Sequence, residues 1–455
     1  MKKEILGFIG AALLSIGVQA QISEAVKDSL QQKFTEFAKS YNCKGVGVAV
    51  HFKDGSVWEY AHGNYGTKAL IPNLLFEAGS NTKTMVAVLT LLLEEEGKLS
   101  IDDSIGKYIV PTVNVNGQIT IKQLLNHTSG VFSFTEHPDY YPNVNANWSY
   151  KLPVDSVFKY FVDTPKFAPG QGTRYSNTGY LLLGKIIEAV ENQNLEKVMR
   201  SKLFDANELD DSHLAFYEEH NKTHLGVWFA SGYDPEPSVS FLSSAWAAGA
   251  VICTPKDLSK WAYYLYSGNI LSEKSFEKMN ETIPFGNGER YGLGMIKREM
   301  GGHTYLGHGG QTLQTSTMDY SVDGDYSLVI MNLEDDKWGE TMGMRARMLL
   351  MLEDYIPTVE VPIDTAEETA SIHEANNGVQ VSVYPVPATD VVTVELSNHA
   401  AFTYQLIDVT GQSIRHETSK AGKLELYKSE LGTGTFWIRI LDEKGQLIVK
   451  PIQFR

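Results

Sequence analysis

Cysteine is nearly missing from this chain: there are 2 in 455 residues, Cys43 and Cys253. A disulfide framework is therefore excluded as the basis of stability, and a domain of this size has core enough without one. The two thiols read as separate. Long apolar runs are also scarce. Beyond the N-terminus the longest, Met85 to Leu93, is too short to span a bilayer. Basic charge is in deficit, with 39 Lys and Arg against 55 Asp and Glu and a formal net charge of −16. That balance argues against nucleic acid or an anionic membrane surface as partner. Metal-ligand spacing is poorly represented. His220 and His224 stand at i,i+4, but Asn221-Lys222-Thr223 between them reads as a polar surface turn. No metal or other cofactor is called for.

The first twenty residues have Lys2 and Lys3, an apolar middle from Ile5 to Val18, and Val18-Gln19-Ala20 before Gln21. This pattern predicts a signal peptide over 1–20 with a small-residue cleavage site, hence export. Alternating runs then flank Lys53-Asp54-Gly55-Ser56 and predict a hairpin. Helical patterns dominate from about Lys83 to Met279, strands return from Tyr291 to Leu333, and a last amphipathic helix runs from Glu340 to Asp354. The fold class is α+β: one antiparallel sheet built from both ends of the region, flanked by helices, with an all-helical insertion. The boundaries are 21–357 for this domain, 358–377 for an acidic linker without aromatics, and 378–455 for a small C-terminal β-sandwich. Its strands fall at Val379–Val383, Val391–Leu396, Tyr404–Asp408 and Thr435–Ile440, with turns at Thr410-Gly411 and Glu443-Lys444-Gly445.

Three short motifs carry chemistry in one order: Ser80-Asn81-Thr82-Lys83, Tyr175-Ser176-Asn177 and His308-Gly309-Gly310. They supply a nucleophile, a basic partner, a proton relay and a strand to hold an acyl group. Ser-x-x-Lys also begins at Ser104, Ser156 and Ser275, so context decides. Only Ser80 opens a long apolar stretch, closed by Glu94-Glu95-Glu96-Gly97. There the helix's first amides are unpaired, Lys83 shares the serine's face, and desolvation favours a neutral amine. Read alone, Ser80 is equally an N-cap with a solvated lysine one turn on. Tyr175 and Asn177, fed by a Pro-Gly-x-Gly loop, read alone as a helix-capping turn. Glycines 309 and 310 let a ligand approach the backbone, and the Gln311 amide could join that of Ser80 in an oxyanion hole.

With these motifs, and with Ile119-Thr120-Ile121-Lys122-Gln123-Leu124-Leu125-Asn126-His127-Thr128-Ser129-Gly130 and Tyr291-Gly292-Leu293-Gly294, the chain resembles the serine β-lactamase and D-alanyl-D-alanine carboxypeptidase family. The likeness is to its class C-like branch, which includes esterases and aminopeptidases. The resemblance implies Ser80 as nucleophile, Lys83 and Tyr175 as proton carriers, and Asn177 as the residue that positions lysine and substrate. It implies an oxyanion hole from the Ser80 and Gln311 amides, with His308, Gly309 and Gly310 lining the substrate site. The penicillin-recognising pattern has Lys-Thr-Gly where this chain has His308-Gly309-Gly310, so a fixed positive charge and a hydroxyl are both missing. Two function classes follow: a secreted hydrolase acting through an acyl-enzyme on an ester, amide or D-amino-acid-containing peptide, and a silent binder of peptide or cell-wall fragments on the same fold. The segment Phe132 to Leu152, with Tyr140, Tyr141 and Trp148, is either a substrate-facing lid or a loop held by its own aromatics. The tail, through Tyr384-Pro385-Val386-Pro387-Ala388-Thr389-Asp390, Ile407-Asp408-Val409-Thr410-Gly411 and Lys450-Pro451-Ile452-Gln453-Phe454, resembles a type IX secretion sorting domain. It implies a secretion-machinery partner, with periplasmic transit and then the cell surface or release.

Overall fold

Alternation along Val46, Val48 and Val50 on one side, and Gly47, Ala49 and His51 on the other, makes Gly45–Phe52 a strand buried on both faces. It pairs antiparallel with Val57–Tyr65 through the Asp54-Gly55 turn, where Gly55 has φ 80°. On its other side it pairs antiparallel with Tyr326–Asn332. A central nine-stranded sheet is therefore closed by the two ends of the domain, as the pattern of apolar runs predicted. Its order is Lys68–Ala69, Val57–Tyr65, Gly45–Phe52, Tyr326–Asn332, Thr315–Ser321, His303–Gln311, Ile296–Met300, Arg290–Tyr291 and Ile283–Pro284. One face packs on helices Glu24–Ser40 and Trp338–Tyr355 through Leu30, Phe34, Met344, Met348 and Leu352. The other face packs on the insertion, where Val329 and Met331 meet a larger apolar cluster.

The computed structural model describes residues 24–286, 288–355, 381–384, 389–396, 402–408, 413–419, 422–432, 434–441 and 447–454. The expected signal peptide, the linker and the turns at Thr410-Gly411 and Glu443-Lys444-Gly445 lie outside them. The chain divides into two units after Val361. Among the described residues no helix is long and apolar enough to cross a membrane.

Helix Thr82–Glu95 is buried from Thr82 to Leu91. Its end is a glycine cap: Gly97 has φ 69°, Gly97 N–H donates to Glu94 O, and Lys98 N–H donates to Leu93 O. The insertion departs from the all-helical expectation. Beside its helices, short strands Ser212–Leu214 and Val251–Cys253 join Phe76–Glu77, and Val227–Phe229 pairs with Gly232–Asp234. Runs of two or three residues carry too little alternation to stand out in a sequence. Cys43 and Cys253 are both free and buried. In the second unit, Val381–Tyr384, Val391–Leu396 and Lys423–Tyr427 form one sheet. Ser413–Ser419, Phe402–Asp408, Gly434–Leu441 and Leu447–Phe454 form another. A shared core of Val392, Val394, Leu406, Ile438 and Ile440 joins them as the expected sandwich.

Candidate active site

The turn Gly79–Asn81 enters helix Thr82–Glu95 directly. Gly79 has φ 54°, and a Cβ there would stand 2.9 Å from the Gln311 nitrogen. The strand His303–Gln311 thus runs against the serine's own turn, which only glycine permits. Asn81 and Ser316 fix the turn: Asn81 Nδ2 donates to Ala78 O (2.9 Å) and Ser316 Oγ (2.8 Å), and Ser316 Oγ donates to Ala78 O (2.8 Å). The Ser80 N–H has no acceptor among the described residues. It is the kind of free amide that a helix start offers to developing negative charge.

Lys83 is fully buried, and its Nζ stands 2.9 Å from Ser80 Oγ. It donates to Asn177 Oδ1 (2.8 Å) and to Ala248 O (2.6 Å). Burial holds its pKa well below the usual lysine value. Ala248 ends the turn Trp246–Ala248, in which Trp246 takes φ 35°. That turn lies on helix Asn177–Glu191 at Gly184, where a Cβ would be 2.6 Å from the Trp246 ring. A mid-helix glycine costs about 1 kcal/mol, and here it admits the turn that brings a carbonyl to the lysine.

Ser176 caps the same helix, accepting the Gly179 N–H, and Asn177 is its first residue. Asn177 Nδ2 donates to Thr135 Oγ1 (3.0 Å), and its N–H donates to Ser133 Oγ (3.1 Å). Those bonds leave Oδ1 facing the lysine. The Tyr175 ring lies 4.9 Å from Lys83 Nζ. Its hydroxyl is buried without a hydrogen-bond partner among the described residues, and burial raises its pKa while the neighbouring Ser80 hydroxyl lowers it.

His308 is buried, with Nδ1 2.6 Å from Gly309 O and Nε2 3.0 Å from Tyr291 Oη. The carbonyl fixes the proton on Nδ1, so Nε2 accepts from the tyrosine. Burial, and next the Lys83 charge, push the histidine down to about 3. The fixed positive charge missing from the sequence pattern is not restored here: a neutral imidazole holds Tyr291. Between its unfolded value and about 3, only the unfolded chain binds this proton, so stability is full above pH 6.5 and falls as pH drops toward 3. His308→Gln is therefore expected to flatten the fall in the urea midpoint of the first unit between pH 7 and pH 4, at up to ~1.4 kcal/mol per pH unit. An unchanged pH dependence would contradict this.

The two motif glycines are also required by packing. A Cβ at Gly309 would meet the Trp338 ring at 2.5 Å. At Gly310 it would stand 2.0 Å from Ala78 O and 2.3 Å from Ser316 Oγ. Gly310→Ala must therefore displace the nucleophile turn. It is expected to cost about 1–3 kcal/mol of stability and on the order of 100-fold in turnover. Gly339→Ala, with nothing within 4 Å of the added Cβ, is the control. Equal activity in the two variants would refute the packing account.

All eight residues singled out in sequence thus converge at one place. Sequence reasoning missed Ser133, Thr135, Ala248 and Tyr291 as partners. A backbone carbonyl leaves no trace in side-chain identity, and the two hydroxyls sit in a loop with no motif around them. Within the segment Phe132 to Leu152, Tyr140 is fully buried, its hydroxyl 2.8 Å from Ser244 Oγ, and Tyr141 stacks on Phe241. Those contacts fasten helix Tyr140–Ala146, which forms part of the segment, to helix Val239–Ala245.

Residues 30–336 match the family model described as Beta-lactamase, and residues 382–453 match the Secretion system C-terminal sorting domain. A putative penicillin-binding protein, PbpX, of Bacillus subtilis is 28% identical over 274 residues, 58% of this chain and 64% of its own. A teichoic acid D-alanine hydrolase of Staphylococcus aureus is 30% identical over 209 residues, 45% and 49%. The chain spans about half to two thirds of the length of these curated relatives. The solved D-stereospecific amidohydrolase from Streptomyces has TM-score 0.60 and 25% identity over 68% of this chain and 94% of that one. The D-amino acid amidase from Ochrobactrum anthropi, at 22% identity, shares the fold with TM-score 0.64 over 73% and 100%.

Proposed function

The chain belongs to the beta-lactamase family of serine hydrolases and ends in a secretion-system sorting domain, and on that premise we propose that it cleaves esters or amides of D-amino acids through an acyl-enzyme on Ser80. One observation carries the reading: the buried Lys83 Nζ between Ser80 Oγ and two fixed carbonyl oxygens. A neutral amine has two N–H groups, which Asn177 Oδ1 and Ala248 O take, and one lone pair, which is left for the serine's O–H. The surroundings therefore select the protonation state and the direction of a general base.

Ser80 Oγ attacks the substrate carbonyl carbon as its proton passes to Lys83 Nζ. The carbonyl oxygen becomes an oxyanion facing the Ser80 and Gln311 amides. The leaving group takes a proton from the Lys83–Tyr175 pair, which titrates as a unit. Water enters by the same proton route, splits the ester and restores the serine. Asn177, held by Ser133 and Thr135, keeps the amine in place throughout.

The neutral His308 indicates the substrate class. With no charge there to receive a terminal carboxylate, selection favours acyl donors whose leaving side is neutral. The likeness to a teichoic acid D-alanine hydrolase of Staphylococcus aureus and to a D-stereospecific amidohydrolase of Streptomyces supports an acyl group of D configuration. D-alanine p-nitroanilide or D-phenylalanine amide is expected to show a higher kcat/KM than D-alanyl-D-alanine or a penicillin. Preference for the carboxylate-bearing pair would overturn this choice. Residues 21–357 form the mature enzyme, and 358–377 link it to the sorting domain 378–455. That domain engages the secretion machinery after periplasmic transit, delivering the enzyme to the cell surface or medium.

A further inference from the structure

His127 takes no part in the acyl-transfer steps, yet it is fully buried in the wall of the site. It stands in the left-handed region with φ 62°, a strained conformation for a residue other than glycine. Its carbonyl accepts the Arg174 N–H (3.0 Å) and its Nδ1 accepts the Ser176 N–H (3.2 Å). Those are the N–H groups of the residues immediately before and after Tyr175. The His127 and Tyr175 rings also touch, with centroids 4.3 Å apart. Neighbouring bonds extend the tie: Gly170 N–H donates to Thr128 O, and Lys166 N–H donates to Gly130 O, each at 2.8 Å. Gly130, at φ 73°, lies so close that a Cβ would be 2.1 Å from Phe167 O. The strip 127–130 is thus a template for the loop 166–176.

Resting on the hydrolase reading above, we infer that His127 is a positioning residue for Tyr175, holding the N–H groups of the residues before and after the tyrosine with one carbonyl and one side chain. The strained backbone is the form in which both acceptors meet that loop. An accepting Nδ1 leaves the ring's proton on Nε2, which is buried and has no partner among the described residues. That orphan donor is a cost borne so that the other nitrogen can serve the Ser176 amide. A displaced phenol would lose its alignment with Ser80 and Lys83, where about 1 Å of misplacement can cost on the order of 100-fold.

The test compares three variants of the full chain. His127→Asn places an acceptor oxygen where Nδ1 stands and tolerates the left-handed region. His127→Gln moves the acceptor one carbon outward, and His127→Gly relaxes the backbone but removes the acceptor. Hydrolysis of p-nitrophenyl butyrate and labelling of Ser80 by a fluorophosphonate are read beside the melting temperature. The Asn variant is expected to keep kcat within about threefold of wild type. The Gln and Gly variants are expected to lose on the order of 100-fold in kcat and in labelling rate, with KM within about threefold. If the Gly variant fails to fold, the Gln variant decides. Folded Gln and Gly variants as fast as wild type would overturn the positioning role, as would an Asn variant as slow as they are. A wild-type protein that takes no label at Ser80 would overturn the hydrolase reading and this inference with it.

Discussion

Ser80→Ala is expected to abolish turnover of every ester and amide that the wild-type protein cleaves, by at least about 10⁴-fold in kcat, while leaving the fold intact. The size follows from the mechanism: without Oγ no acyl-enzyme forms, and direct attack by water on a bound substrate has no positioned nucleophile. The harmlessness to the fold follows from the contacts. The serine hydroxyl's hydrogen bond is to Lys83 Nζ, and the turn around it is held by Asn81, Ser316 and Gly79 instead. Steady-state kinetics and thermal melting of the two proteins check both halves. An Ala variant retaining about a tenth of the activity would mean that the chemistry runs elsewhere.

The second large effect is at Lys83, where Lys83→Arg is expected to be as inactive as Lys83→Met, each down on the order of 10³-fold. A guanidinium cannot be deprotonated in a protein, so it keeps the charge and loses the basicity. If the lysine acted only as a cation, Arg would substitute for it. Because burial lowers the Lys83 pKa, the amine is protonated below that depressed value and free above it. Wild-type kcat/KM is therefore expected to rise with pH through a limb set far below the ordinary lysine range, and that limb is expected to vanish in Lys83→Met. Arg-variant activity near wild type, or an unchanged acid limb in the Met variant, would contradict the base assignment. Removing the amine also strands Asn177 Oδ1 and Ala248 O, at about 1–3 kcal/mol for each unpaired buried group, so melting is measured alongside.

Much of this was legible because the sequence marks it locally. The Asp54-Gly55 hairpin, the apolar helix closed by Gly97 and the strands between Tyr291 and Leu333 all follow from side-chain period and turn chemistry. Ser80 was separable from three other Ser-x-x-Lys sequences because only its helix is apolar enough to bury the lysine, and Lys83 is buried. What stayed hidden is long-range. Ala248 reaches Lys83 across 165 positions, by a carbonyl whose aim depends on a left-handed Trp246 and on Gly184 beneath it. The short strands Ser212–Leu214 and Val251–Cys253 exist because neighbours supply ladder partners, not because three residues declare a period. His308 was legible as the loss of a fixed charge, but its bond to Tyr291 was not: burial beside Lys83 keeps it a neutral acceptor for that hydroxyl. The packing demand at the motif glycines was likewise hidden, because Ala78 and Trp338 come to lie beside them only in the fold.

The central claim is a covalent ester on Ser80, and mass spectrometry of the intact protein reads it directly. Wild type and Ser80→Ala are mixed with p-nitrophenyl butyrate, quenched in acid within the first turnovers, and digested to locate any added mass. A butyryl adduct on the peptide carrying Ser80, formed and lost at rates consistent with turnover and missing from the Ala variant, is the predicted result. Turnover with no adduct at any quench time, or an adduct that persists in Ser80→Ala, would contradict it.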